Sequence, residues 1–268
     1  MGFKKRDNSF SFADLALEDS MKHNHSLELM DKLNGAIDWS RVETVLLSHY
    51  RVGTSGGGAD AYPPLMLFKC MLIQKWFQIK SDPELETQIN DRISFKKFLK
   101  LSLSSPSPDH STFSRFRPLL SKNAMDQINS EILRQFETQG LTINEGVAID
   151  ARLVKSASRP MSNDKITELK VKRNTPEGKI NKKGKPLKYS RDLESDWNIK
   201  NDIPLYGLKE HASVDTNHGL ILTTTMSPAP VHDTNFFLYC TVYNRHTQQK
   251  IEKVYAEKDG LLASPGGL

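Results

Sequence analysis

The chain has 268 residues, 37% of them hydrophobic and 26% charged, which predicts one large domain or two small ones with a sizeable core. No run approaches the ~18 uninterrupted apolar residues of a membrane span, and Lys4, Lys5 and Arg6 have no apolar leader stretch behind them. Cys70 and Cys240 lie far apart and in no C-x-x-C pattern, which argues against a disulfide framework and a Cys-based zinc centre. A soluble cytoplasmic protein is expected.

Charge is unevenly spread. Lysine and arginine total 37 against 32 acids, a net +5, but Lys165–Arg191 alone carries ten basic residues with only Glu168 and Glu177 as acids. Outside it, 27 basic residues face 30 acidic ones. The excess is therefore a local device. It fits a phosphate-tracking arm that gains by counterion release and a solvated linker equally well.

In chain order, Leu15, Leu17 and Met21, then Leu27, Leu29, Met30 and Leu33, mark short helical patches, and Val42–Tyr50 marks another. Gly53–Gly58 is a connector without the Gly-Lys-Ser/Thr ending of a phosphate loop. Pro63-Pro64 opens the strongest helix, Leu65 to Ile79, apolar on nearly every face and so expected in a core. Asp82-Pro83 reads as the N-cap and first-turn proline of the next helix. Phe95–Leu101 forms a third helix, Ser104–Ser111 a turn, and Thr112 to Arg117 a helix with basic residues beside aromatics. Asn123–Gln139 is a last helix, ending at Gly140.

After Gly140 the period changes. Leu141–Asn144 and Gly146–Asp150 read as strand, and Tyr206–Asp215 and Gly219–Met226 as a hairpin around Asn217-His218-Gly219. Asn235–Gln248 returns to helix, and Lys253–Glu257 is a short strand. A helix between the hairpin and the last strand is the crossover that a parallel pair requires. The order predicts an α+β fold with a mixed sheet.

Asp150 and Glu257 each close an apolar strand. Carboxylates converging at one sheet edge can hold paired Mg²⁺ ions about 3.5–4 Å apart across an in-line phosphoryl displacement. They can equally mark the points where polar sequence begins. His211, Asp215 and His218 straddle the hairpin turn and make a poor metal triad. Asp233 reads as the cap of the following helix, and Tyr206, Lys209 and His211 as sharing one strand face.

Several stretches together resemble bacterial insertion-sequence transposases of the DDE class, in the IS-five group. They are Ala61–Leu72, Pro108–Arg117, Val147–Ala157, Tyr206–His211, Val214–Leu222 and Val231–Asp233. The resemblance runs in order over about 60–267. It implies a helical DNA-binding region, residues 60–140, after an N-terminal helical and flexible segment, 1–59. An incomplete RNase H-like catalytic domain follows over 141–268, with a basic insertion at 160–203.

In that family three carboxylates bind two divalent metals, Mg²⁺ or Mn²⁺, and cut and join double-stranded DNA at element terminal repeats and target. Asp150 matches the first carboxylate. Glu257, in Val254-Tyr-Ala-Glu257-Lys258, stands where the family has aspartate. The third, a downstream glutamate, has no counterpart before Leu268, and the tail from Asp259 does not read like the family's continuation. The expectation is a C-terminally truncated chain, inactive alone, with a frameshift near codon 258. The alternative is a non-enzymatic DNA-binding fragment that regulates transposition. Candidate DNA contacts are Arg115, Arg117, Lys172, Arg173, Lys182, Lys183, Lys185 and Lys209. Ser111–Arg117 matches the family's recognition segment, or is a surface helix with Phe113 and Phe116 against Leu119 and Leu120. A second copy of the chain is the other expected partner, and a bacterial, nucleoid-associated location follows when DNA is bound.

Overall fold

A computed structural model describes residues 3–4, 25–52, 60–141, 146–158, 160–175, 179, 192–200, 202–242, 251 and 253–256. The chain divides into two compact units, Met1–Gly140 and Leu141–Leu268. The readings at Leu15, Leu17, Met21, the strand over 142–144, Lys182, Lys183, Lys185 and Glu257 lie outside the described residues.

The first unit is helical: α1 His25–Ala36, α2 Trp39–His49, α3 Pro64–Trp76, α4 Asp82–Asp91, α5 Ile93–Leu99, α6 His110–Phe116, a 3₁₀ turn Arg117–Leu119, and α7 Lys122–Thr138. Side-chain oxygens of Asp38, Ser81, Asp109 and Ser121 accept the first-turn N–H groups of α2, α4, α6 and α7. The cap of α4 is thus Ser81, not Asp82, and Asp82 is left available for a partner elsewhere. The strongest apolar run behaves largely as its composition predicts. Leu67, Cys70 and Ile73 of α3 are fully buried. The helix nevertheless stops at Trp76, which is 43% exposed, because Gln78 turns the chain at φ 51. At the far end, Gly140 takes φ +90 beyond α7, a conformation that glycine adopts without steric cost.

The core joins Met30, Val42 and Leu46 of the first two helices to Leu67, Phe95 and Phe113 of the later ones. Phe113 and Phe116 are 0% and 2% exposed, and Phe116 meets the Tyr50 ring edge-on at 5.6 Å. Each such burial stabilises by about 1.5–3 kcal/mol. α6 is thus a surface helix with Ser114 and Arg115 outward and its phenylalanines in the main core, where Leu120 also packs, while Leu119 is 41% exposed and does not cover them.

Among the described residues the second unit is a mixed sheet with helices on the chain between its strands: β1 Gly146–Lys155, α8 Asn163–Asn174, β2 Asp196–Lys200, β3 Ile203–Asp215, β4 Ile221–Pro228, α9 Thr234–Val242 and β5 Lys253–Ala256. β1 pairs antiparallel with β3, from Val147↔Asp215 to Lys155↔Gly207, and parallel with β5, from Gly146↔Lys253 to Ile149↔Ala256. The far edge of β3 takes β2 along its first part and β4 along the rest. The expected α+β class, mixed sheet, hairpin and parallel last strand are all present. One boundary differs: β1 does not close at Asp150 but runs five residues further to Lys155, since its pairing with β3 continues that far.

Candidate functional site

Cross-strand pairing sets the two faces of the sheet. Asp150 lies opposite Ala212, and Ala212 opposite Thr224, so these three share a face with Arg152, Glu210 and Met226. Asp150 is exposed there, and its Oδ1 accepts the Ala151 N–H at 2.7 Å. Arg152 Nε donates to Glu210 Oε2 at 2.5 Å in the next cross-strand pair. The last described parallel pair, Ile149↔Ala256, immediately precedes Asp150 in one strand and Glu257 in the sequence after the other. An exposed carboxylate suits a hard divalent cation, which takes oxygen ligands and keeps much of its water. Among the described residues no three His, Cys, Asp or Glu side chains gather within ligand reach. In the described part Asp150 is a single exposed carboxylate on this face beside the Arg152–Glu210 pair.

The opposite face is enclosed by α9. His211 is 1% exposed, stacked on Phe236 with ring centroids 4.3 Å apart, and its Nε2 lies 2.9 Å from Ser227 Oγ. Burial pushes its pKa below the usual histidine value, Asp233 pulls it back up, and Lys209 adds to the lowering. Lys209 Nζ bonds Asp233 Oδ1 at 2.9 Å and the Val231 carbonyl at 3.0 Å. Asp233 stands immediately before α9, where its backbone carbonyl accepts the Phe236 N–H at 3.0 Å, and its side chain also holds Lys209. Tyr206 does not share this face. It is offset by three and five positions from Lys209 and His211, odd steps that put it on the other face, and it lies beside Trp197 at 5.4 Å. Nor do His211, Asp215 and His218 form a triad. Asp215, fully buried, organises the hairpin turn by accepting the His218 N–H at 2.7 Å, with His218 Nδ1 at 3.1 Å.

In the helical unit, α4 grips the segment around α6 at successive turns. Asn90 Oδ1 accepts the Ser107 N–H at 2.9 Å. Glu86 Oε2 accepts the His110 N–H at 2.8 Å and lies 2.9 Å from its Nδ1. Asp82 accepts Ser114 Oγ–H at 2.9 Å and both arms of the Arg117 guanidinium, at 2.6 and 3.1 Å. Arg117 also reaches Gln74 Oε1 on α3 at 3.1 Å. These bonds, Arg117 foremost, hold the Asp82 pKa down to about 2 despite the opposing desolvation. Arg115 is exposed and donates through Nε to the Ser111 carbonyl, 3.1 Å away on its own helix. Sequence reasoning named Arg115 and Arg117 but missed Asp82, Glu86 and Asn90. The available signal was their spacing of four, which puts them on one helical face.

The basic stretch begins on α8, which buries no residue. Lys172 and Arg173 are exposed, and Arg173 pairs with Glu194 at 3.1 Å. No described helix is long and apolar enough to cross a membrane.

Comparison with known proteins adds one match. The sequence profile of a family described as Transposase domain (DUF772) matches residues 15–119, which runs from before α1 to the end of the 3₁₀ turn after α6. No solved structure matches the chain. The match supports a transposase family and a transposition-related function.

Proposed function

We propose that the chain is a DDE-type transposase of the IS-five group, which binds insertion-sequence ends and takes part in metal-dependent DNA strand cleavage and transfer. The carrying observation is the transposase-domain match over the helical unit, residues 15–119. The second unit supports an RNase H-like reading. Its strands stand in the order β2–β3–β1–β5, with β4 also on the far edge of β3, β1 antiparallel to β3 and parallel to β5, and the crossover helix α9 between β4 and β5 in sequence.

In this reading Asp150, from a central strand, is the first carboxylate and Glu257 the second. They hold Mg²⁺ or Mn²⁺, which when bound supplies Lewis-acid polarisation of a phosphate oxygen. The protein's own part is to fix the carboxylate on a paired strand and to hold the DNA. Arg115, Arg117, Lys172, Arg173, Lys182, Lys183, Lys185 and Lys209 are the candidate cations from which the DNA contacts are drawn. Three of them, Arg117, Arg173 and Lys209, already hold carboxylates within the fold. Duplex DNA, a second copy of the chain and a nucleoid-associated location complete the proposal.

The test is nicking of a supercoiled plasmid that carries the element's flanking DNA. Nicking should require Mg²⁺ or Mn²⁺ and disappear in Asp150→Ala, while salt-sensitive duplex binding persists in that variant. Binding without cleavage by the unaltered chain would favour a non-enzymatic DNA-binding fragment. Absence of both would overturn the reading.

A further inference from the structure

Resting on the DNA-binding reading of the helical unit, we infer that Asp82, Glu86 and Asn90 form a positioning stripe on α4. It presents Arg115 of α6 to a DNA phosphate, with Arg117 as a member of the stripe's grip and not itself the phosphate contact.

Four-residue spacing puts the three side chains on one face of α4, and the segment 107–117 crosses that face with a partner at every turn. Ser107 meets Asn90, His110 meets Glu86, and Ser114 and Arg117 meet Asp82. Both ends of α6 are therefore anchored to the same helix, while Phe113 and Phe116 anchor its inner side in the core. Rotation or sliding of α6 would break several of these bonds at once.

The two arginines are committed differently. Arg117 forms a two-pronged pair with Asp82, whose side chain is 13% exposed, and adds a bond to Gln74. A phosphate could capture Arg117 only by leaving that carboxylate enclosed without its cation, a costly exchange. Arg115 has no carboxylate partner among the described residues. It donates to the Ser111 carbonyl and Oγ one turn back on its own helix, and it remains exposed.

The experiment measures binding of the full chain to a short fluorescein-labelled duplex by anisotropy across a salt series, with thermal unfolding alongside. Arg115→Ala should lower the magnitude of the salt slope by about 0.9, as expected when one phosphate is no longer neutralised, with an unchanged melting midpoint. Arg117→Ala and Asp82→Asn should weaken binding several-fold at temperatures where each variant is still folded, keep the salt slope and lower the midpoint. The exchanged pair Asp82→Arg with Arg117→Asp should recover much of the affinity, a rescue that simple removal of a phosphate-binding cation would not give. Glu86→Gln should weaken binding with an unchanged slope.

A reduced slope for Arg117→Ala with an unchanged midpoint would make Arg117 the phosphate contact and overturn the inference. An unchanged slope for Arg115→Ala would overturn it as well. Failure of the unaltered chain to bind duplex would instead overturn the DNA reading on which it rests. That failure is distinguishable, because the Asp82–Arg117 thermal cycle would still report their coupling.

Discussion

His211 shows what burial does to a titrating group in this fold. It lies against Phe236 with Ser227 at hydrogen-bond distance, Asp233 Oδ1 3.7 Å from Nδ1, and Lys209 on the same face. Its pKa is lowered chiefly by desolvation, so the folded protein keeps the ring neutral where the unfolded chain, with an ordinary value of 6.5, takes up a proton. The stabilisation is therefore complete above about pH 6.5 and is lost as the pH falls through it, because the unfolded state binds more protons there. Thermal unfolding followed from pH 8 down to pH 5 should show a falling midpoint for the native chain and a shallower fall for His211→Gln. Identical pH dependence in the two would mean that the folded state accommodates the charged ring. The pattern of alternating residues in Tyr206–Asp215 revealed the strand. It did not reveal this pocket, since Ser227, Asp233 and Phe236 come from other elements.

Elements were legible where their signals were local. The prolines at Pro64 and Pro83, Gly140 after the last helix and the apolar run of α3 located most of the helical unit, because each acts through neighbours in the chain. The N-caps at Asp38, Ser81, Asp109 and Ser121 were not read. β2 was not legible. Asp196–Lys200 carries charges at both ends and follows the basic stretch, and it becomes strand only by pairing with Ile203–Gly207. Gly207 itself marks a close backbone approach, since a Cβ there would lie 2.1 Å from the Val154 carbonyl oxygen. The atoms it would meet are backbone of Val154 and Lys155, with no flexible side chain to yield. Gly207→Ala should cost about 2–3 kcal/mol, read as a lower urea midpoint with an unchanged slope. A midpoint equal to that of the native chain would show that β1 and β3 can separate locally at little cost.

At the scale of the whole molecule, the positive excess is confined to one stretch while the rest of the chain is slightly acidic. α8, which opens that stretch, buries nothing, so its charges can be changed without disturbing a core. Replacing Lys165, Lys170, Lys172 and Arg173 together with glutamine should leave circular dichroism and the melting midpoint unchanged. Duplex affinity should fall, and the salt slope should shrink by about 0.9 for each phosphate left without its cation. An unaltered affinity would show the stretch to be a solvated connection, the other reading its charge allows.

By itself the sequence determined the helical character of the first unit, the α+β class, the hairpin, the parallel last strand and Asp150 as a carboxylate on a sheet. Periodicity, caps and turn residues encode these over a few neighbouring positions, and cross-strand order follows from the small number of connections open to such elements. Tertiary structure alone decided how the charged groups are used. Arg117 meets Asp82 across 35 positions and His110 meets Glu86 across 24. Asp233, at the start of α9, meets Lys209 across 24 positions, and Phe113 and Phe116 enter the main core. Those partners are brought together by packing of apolar faces far apart in the chain, which no local spacing records.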